Sequence, residues 1–272
     1  LAVTAEAESL TGPARLLGIE WPGGGPLKLA ARLSDVEGGG WRLAGLKSTL
    51  GDSDLAGTLT VVPGARPRLD GQLASNRLNP IDLFPGLAAA GSGLTLGAMA
   101  ETRPAARPAI PIADGRLLPA EPLPFELLNA ADVDLALTAA HLSLGRVPLH
   151  GAAARLRLGD GRLAVEGFGA ALGDGRMRGD LLVETSGRLP TLALRLSGGN
   201  LDLGRVAPDP GLLFESGRAD LAVDLRGQGT NPRQIAATLS GSIQLGLTQT
   251  RMGTVPAGGV PARLLAALDP PS

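Results

Sequence analysis

The sequence predicts a mainly β protein, a repetitive antiparallel sheet with a few short helices. Three observations carry that prediction. Apolar residues recur with period two through much of the chain, Asp-Gly turns separate the alternating runs, and one stretch repeats another at a fixed offset.

The alternation places every second side chain on one face of a strand. Leu55, Leu59 and Val61 share one parity with Gly57, and Leu69 and Leu73 follow. Further along come Leu135 and Leu137, Leu163 and Val165, Leu181 and Val183, then Leu192, Leu194 and Leu196, and finally Leu221, Val223 and Leu225. Between them stand Thr58, Thr60, Asp70, Gln72, Asp134, Asp180, Arg195, Asp220 and Asp224, with apolar exceptions such as Leu182. One face of the expected sheet is therefore aliphatic and the other polar.

Turn chemistry sits where hairpins require it: GDSD at 51–54, GDGR at 159–162 and again at 173–176, and SGRLP at 186–190. Asp-Gly pairs accept the positive φ of tight hairpin turns, so successive strands are expected to be antiparallel neighbours. Residues 41–66 align without a gap on 163–188. The alignment matches Gly45 with Gly167, Leu50 with Leu172, Gly51 with Gly173, Asp52 with Asp174, Gly57 with Gly179, Leu59 with Leu181, Val61 with Val183 and Arg66 with Arg188. With one inserted residue the match runs on from Pro67 and Pro190 to Leu78 and Leu201. A third start, GRADLAVDLRG from Gly217, resembles ADVDLALTAAHL from Ala131. Such repetition implies a sheet that grows by stacked units.

This pattern divides the chain into a first β unit at 1–84, a Gly/Pro-rich linker or mobile loop at 85–124, a second unit at 125–206 and a truncated third at 207–272. Pro104, Pro108, Pro111, Pro119, Pro122 and Pro124 make the linker hostile to regular structure. Helical turns are expected near Ile81 to Leu87, at NPRQIAATL, where Asn231 caps and Pro232 suits the first turn, and at PARLLAALD over 261–269. The chain starts at Leu1 rather than Met and holds no run of 18 apolar residues, so any anchor or targeting signal is expected upstream.

Composition excludes several functions. A formal net charge of −1 without a basic cluster offers a nucleic acid no electrostatic footprint. The absence of cysteine removes disulfides and thiolate metal sites. The apolar mass is Leu, Ala and Val, with two Trp, four Phe and no Tyr. Codon bias accounts for much of that skew, yet the result is an aliphatic rather than aromatic face.

Residues able to carry chemistry are sparse. His141 and His150 have no further ligand-type residue at metal spacing, and a zinc site needs at least three protein ligands; they read as partly exposed histidines near strand ends. Asp132 with Asp134, and Asp52 with Asp54, fit turns and a solvated strand face. GFGAALG at 167–173 resembles a dinucleotide loop but has three residues before its last glycine where two are required, and it lies inside the β repeat. Its glycines fit bulges or bends better. No catalytic residue, metal site or cofactor is expected.

The succession of GDSDLAGTLTVVPGARPRLDGQLASNRLNPIDL at 51–83, the long run from Glu121 to Glu184 that contains ADVDLALTAAHLSLGRVPLHGAAARLRLGDGRLAVEGFGAALGDGRMRGDLLVE, and GRADLAVDLRGQGTNPRQIAATLSGSIQLGL at 217–247 resembles the periplasmic part of AsmA-family proteins, TamB-related ones included. The resemblance implies a mainly β fold whose repetitive antiparallel sheet is bent into an elongated apolar groove. It further implies a periplasmic segment of a Gram-negative envelope protein, anchored to the inner membrane through residues outside this chain, with phospholipid or another acyl lipid as ligand and a possible outer-membrane protein as partner. The seventeen aliphatic residues named above are the candidate lining of that groove. A closed sandwich core is the alternative use of the same face, and a module assisting outer-membrane protein assembly is the alternative function.

Overall fold

The computed structural model describes residues 1–9, 11–16, 25–37, 39–83, 120–144, 147–203 and 214–252. Among these residues twelve strands form one sheet in chain order. They are β1 Ala2–Ala7, β2 Leu27–Val36, β3 Gly40–Leu50, β4 Ser53–Val62, β5 Arg68–Leu78, β6 Asp132–Leu144, β7 Val147–Gly159, β8 Arg162–Leu172, β9 Gly175–Glu184, β10 Thr191–Asp202, β11 Phe214–Gln228 and β12 Ser240–Met252. The helical pieces are short: α1 Thr11–Leu16, α2 Pro80–Leu83, a 3-10 helix at Phe125–Asn129 and α3 Pro232–Ala237. In α3, Asn231 accepts a hydrogen bond from the Gln234 N–H at 2.9 Å and Pro occupies the first turn. Of the helical turn expected near Ile81 to Leu87, the described part is α2, while 84–87, most of the linker and the closing segment 261–269 lie outside the described residues.

Neighbouring strands are antiparallel throughout, with one exception that corrects the expected pattern. β5 and β6 are parallel, with Leu69 beside Val133 and Leu73 beside Leu137. Short turns force a reversal of direction, whereas the long connection between β5 and β6 lets the chain return to the starting end, as a parallel pair requires. The same difference separates the two similar strand openings: β6 runs parallel to β5, but β11 runs antiparallel to β10.

The internal repeat is structural as well as sequential. β3 and β4 correspond to β8 and β9, and the intervening turns both place glycine at positive φ, Gly51 at 59° and Gly173 at 62°. Within β3 and β8 the ladder slips by one residue at Gly45 (φ 60°) and Gly167 (φ 62°). These are β-bulges, where one extra residue bends the strand and raises its twist.

Two pieces tie down the long edges, or rims, formed by the strand ends. On the rim carrying the 51–52 turn, the Asp82 carboxylate of α2 accepts from Ser53 Oγ at 2.7 Å and from Asp52 N–H at 3.1 Å. On the other rim, the Leu123 N–H donates to the Thr230 carbonyl at 2.8 Å, and the 3-10 helix packs against β7 and β8 with Leu128 buried. The best-buried cluster draws Leu142, Leu149, Ala170, Leu172, Leu201 and Ala219 from β6, β7, β8, β10 and β11, with Leu149 and Leu172 almost wholly enclosed.

Candidate functional site

Residues directly opposite each other in a ladder point to the same side, so the register defines the site. One row crosses the sheet as Val61, Leu69, Val133, Leu158, Leu163, Val183 and Leu192. The next runs Leu43, Leu59, Gly71, Leu135, Leu156, Val165, Leu181, Leu194 and Leu225. Leu73 lies beside Leu137, Leu196 beside Val223, and Leu221 beside Gly198, while Leu55 stands opposite Ser48. All seventeen candidate residues therefore share one face. Val61, Leu73 and Val183 are buried and the others are half-buried.

The face is wider than the period-two alternation alone indicates. Leu29 and Ala31 of β2, Leu43 and Leu46 of β3, and Phe168 and Met177 of β8 and β9 pack into the same apolar clusters. The bulges hid part of this set, because a one-residue slip moves Leu46 and Phe168 out of the parity of the residues before them. Leu156 and Leu158 were visible as the alternation in ARLRLG, where arginine takes the other face.

No second sheet lies on this face among the described residues, since all the strands belong to one sheet. At its end, Ile243, Leu245 and Leu247 of β12 continue the apolar rows opposite Val223, Leu221 and Ala219. They are 62%, 57% and 39% exposed, because β12 has no further neighbour among the described residues.

The opposite face is ionic. Asp134 of β6 takes Arg155 of β7 in a two-point pair at 2.7 Å for each bond, Arg157 reaches Glu166 at 3.0 Å, and Arg195 reaches Asp224 at 3.4 Å. The Arg155 guanidinium holds the Asp134 carboxyl below the usual carboxylate range, against the opposing effect of burial. Beside the β5–β6 seam, Arg66 spans Asp132 at 2.6 Å and Asp160 at 2.8 Å.

His141 and His150 stand opposite each other on this polar side, and their Nδ1 atoms are 3.0 Å apart. The imidazoles bond to each other, and among the described residues no group of three or more potential metal ligands occurs. GFGAALG occupies β8 and its following turn, with β9 rather than a helix next.

A single sheet with one aliphatic and one ionic face, built from repeated bulged strand pairs, defines a repetitive β-sheet protein with an extended apolar surface. The AsmA family model matches residues 42–253, and the chain belongs to the AsmA family, a family of bacterial envelope proteins. No curated protein and no solved structure matches it.

Proposed function

We propose that this chain is a periplasmic segment of an inner-membrane-anchored envelope protein, that it binds lipid acyl chains along its apolar face, and that it supports phospholipid transport to, or homeostasis of, the outer membrane. The observation that carries this reading is the run of aliphatic rows across neighbouring strands, with no second sheet among the described residues to cover them. Each methylene moved from water onto such a surface contributes roughly 0.8 kcal/mol. Binding of this kind selects for chain bulk, and sliding from row to row needs no chemical step.

Native mass spectrometry of the purified protein, followed by extraction and identification of lipid, tests the proposal. Bound phospholipid is expected, and it should be lost in Leu59→Asp/Leu181→Asp while circular dichroism keeps its β signature. Leu194→Asp/Leu225→Asp, also at half-buried positions, is a second variant should the first not fold. A folded, lipid-free wild-type protein would overturn the reading.

One observation favours a second reading, assistance in outer-membrane protein assembly. The outer edge of β12, which no strand covers among the described residues, offers backbone donors and acceptors beside exposed Ile243 and Leu245, a surface suited to strand addition. Capture of an unfolded barrel strand by lipid-free protein, abolished by proline at Gln244, would move the weight to that role.

A further inference from the structure

We propose that Arg176 and Arg178 form a phosphate-binding site at the rim of the sheet, which takes the head-group phosphate of a phospholipid. The proposal rests on the acyl-binding reading above for its biological ligand, though not for its chemistry.

Arg176 is the second residue of β9, next to the 173–174 turn, and Arg178 follows on the same face. Both are exposed on the polar side, since Met177 between them packs into the apolar cluster. Their neighbours are small: Arg176 lies between Ala171 and Gly199, and Arg178 between Gly169 and Ser197. The result is a shallow concavity of about 500 Å³ lined by the two arginines, Asp174, Ser197, Gly198 and Gly199.

On much of this face a guanidinium is matched to a carboxylate, as in Arg155 with Asp134, Arg157 with Glu166 and Arg195 with Asp224. Arg176 and Arg178 have no ion pair among the described residues. The carboxylates around them are engaged elsewhere. Asp174 pairs with Arg218 at 3.2 Å, Asp180 accepts the bulge N–H of Gly167 at 2.8 Å, and Asp220 accepts the N–H of Asn200 at 2.8 Å. Two guanidinium forks side by side, neither paired with a carboxylate among the described residues, with the Ser197 hydroxyl held only by a 3.5 Å contact to the Arg178 carbonyl, present several donors to a tetrahedral oxyanion. Because Arg176 stands at the rim, a phosphate held there leaves the attached chain close to the half-buried Met177 on the apolar side.

The test titrates wild type, Arg176→Gln/Arg178→Gln and, as a charge-matched control, Arg42→Gln/Arg226→Gln. Two probes are used: inorganic phosphate, followed by amide chemical shifts, and phosphatidylcholine vesicles with and without phosphatidic acid, followed by co-sedimentation. The expected result is phosphate-dependent shifts at Ser197 and Gly199, and binding to phosphatidic acid vesicles at least tenfold weaker in the first variant and unchanged in the control. Shifts with inorganic phosphate alone support a site for the free anion; vesicle binding alone supports the head group at a membrane surface. Equal loss in both variants, or no loss in either, overturns the site. Displacement of a fluorescent fatty acid from the same variants reads the apolar face separately, so its failure is distinguishable from failure of the arginine pair.

Discussion

The carboxylate of Asp54 on β4 accepts the backbone N–H of Arg77 on β5 at 2.7 Å. It also takes the N–H of Asn76 and the Asn76 side chain, so one aspartate holds the end of β5 against its neighbour.

That arrangement sets an acid limit. Burial by itself would raise the Asp54 carboxyl, but the donors of Arg77, Asn76 and Ser75 outweigh it and hold the group below its ordinary value of 3.8. A carboxyl lowered in the folded state stabilises fully above its unfolded value, and the contribution disappears as pH falls through the folded one. Asp134, lowered by Arg155, acts in the same direction. Thermal unfolding followed from pH 7 to pH 2 should therefore show a loss of stability below about pH 4, and Asp54→Asn should have a shallower acid limb than wild type.

The bulge glycines should respond to substitution through the backbone alone. A Cβ added at Gly45 or Gly167 meets no atom within 4 Å, but both residues sit at positive φ. Gly167→Ala should cost about 1–2 kcal/mol in urea unfolding. Gly179→Ala should be far worse, because its Cβ would lie 2.5 Å from the Arg195 carbonyl oxygen of the adjacent strand.

Truncation of the best-buried leucines measures the cluster on β7 and β8. Leu149 is 0% and Leu172 1% exposed, so Leu149→Ala or Leu172→Ala should each cost about 2–5 kcal/mol. Equilibrium denaturation checks this, and a loss under about 1 kcal/mol would show that the cluster collapses around the smaller side chain.

Ile243→Ser should behave differently. The residue is exposed and lies on the last strand of the sheet among the described residues, so unfolding should shift by no more than about 0.5 kcal/mol. Self-association, read by sedimentation velocity, should fall because an exposed apolar edge is a template for pairing.

The sheet was legible because alternation and Asp-Gly turns are local signals. Leu181 and Val183 show their common face in five residues of sequence, and the GDGR turns announce the reversals around β8 and β9. The parallel seam was not legible. Nothing near Leu69 or Val133 records which strand lies alongside, since the partner is chosen by a long connection rather than by a turn. The bulges were legible as glycines out of pattern, but their effect on parity at Leu46 and Phe168 needed the register. The meeting of His141 with His150 was equally hidden, because it depends on the register in which β6 and β7 align. The carboxylate commitments that leave Arg176 and Arg178 unpaired arise from Asp180 and Asp220 capping bulges on neighbouring strands, which no spacing within one strand reveals.

The parallel seam also has a consequence in time. On either side of it, strands joined by short turns can zip one after another, each closing a small loop. The seam must instead bring Arg68 alongside Asp132 across a long intervening stretch, and closing such a loop is entropically slower to reward. The two halves of the sheet should therefore form as separate kinetic units. Their joining, with Arg66 reaching Asp132 and Asp160, would then be the late event that makes one continuous surface of two.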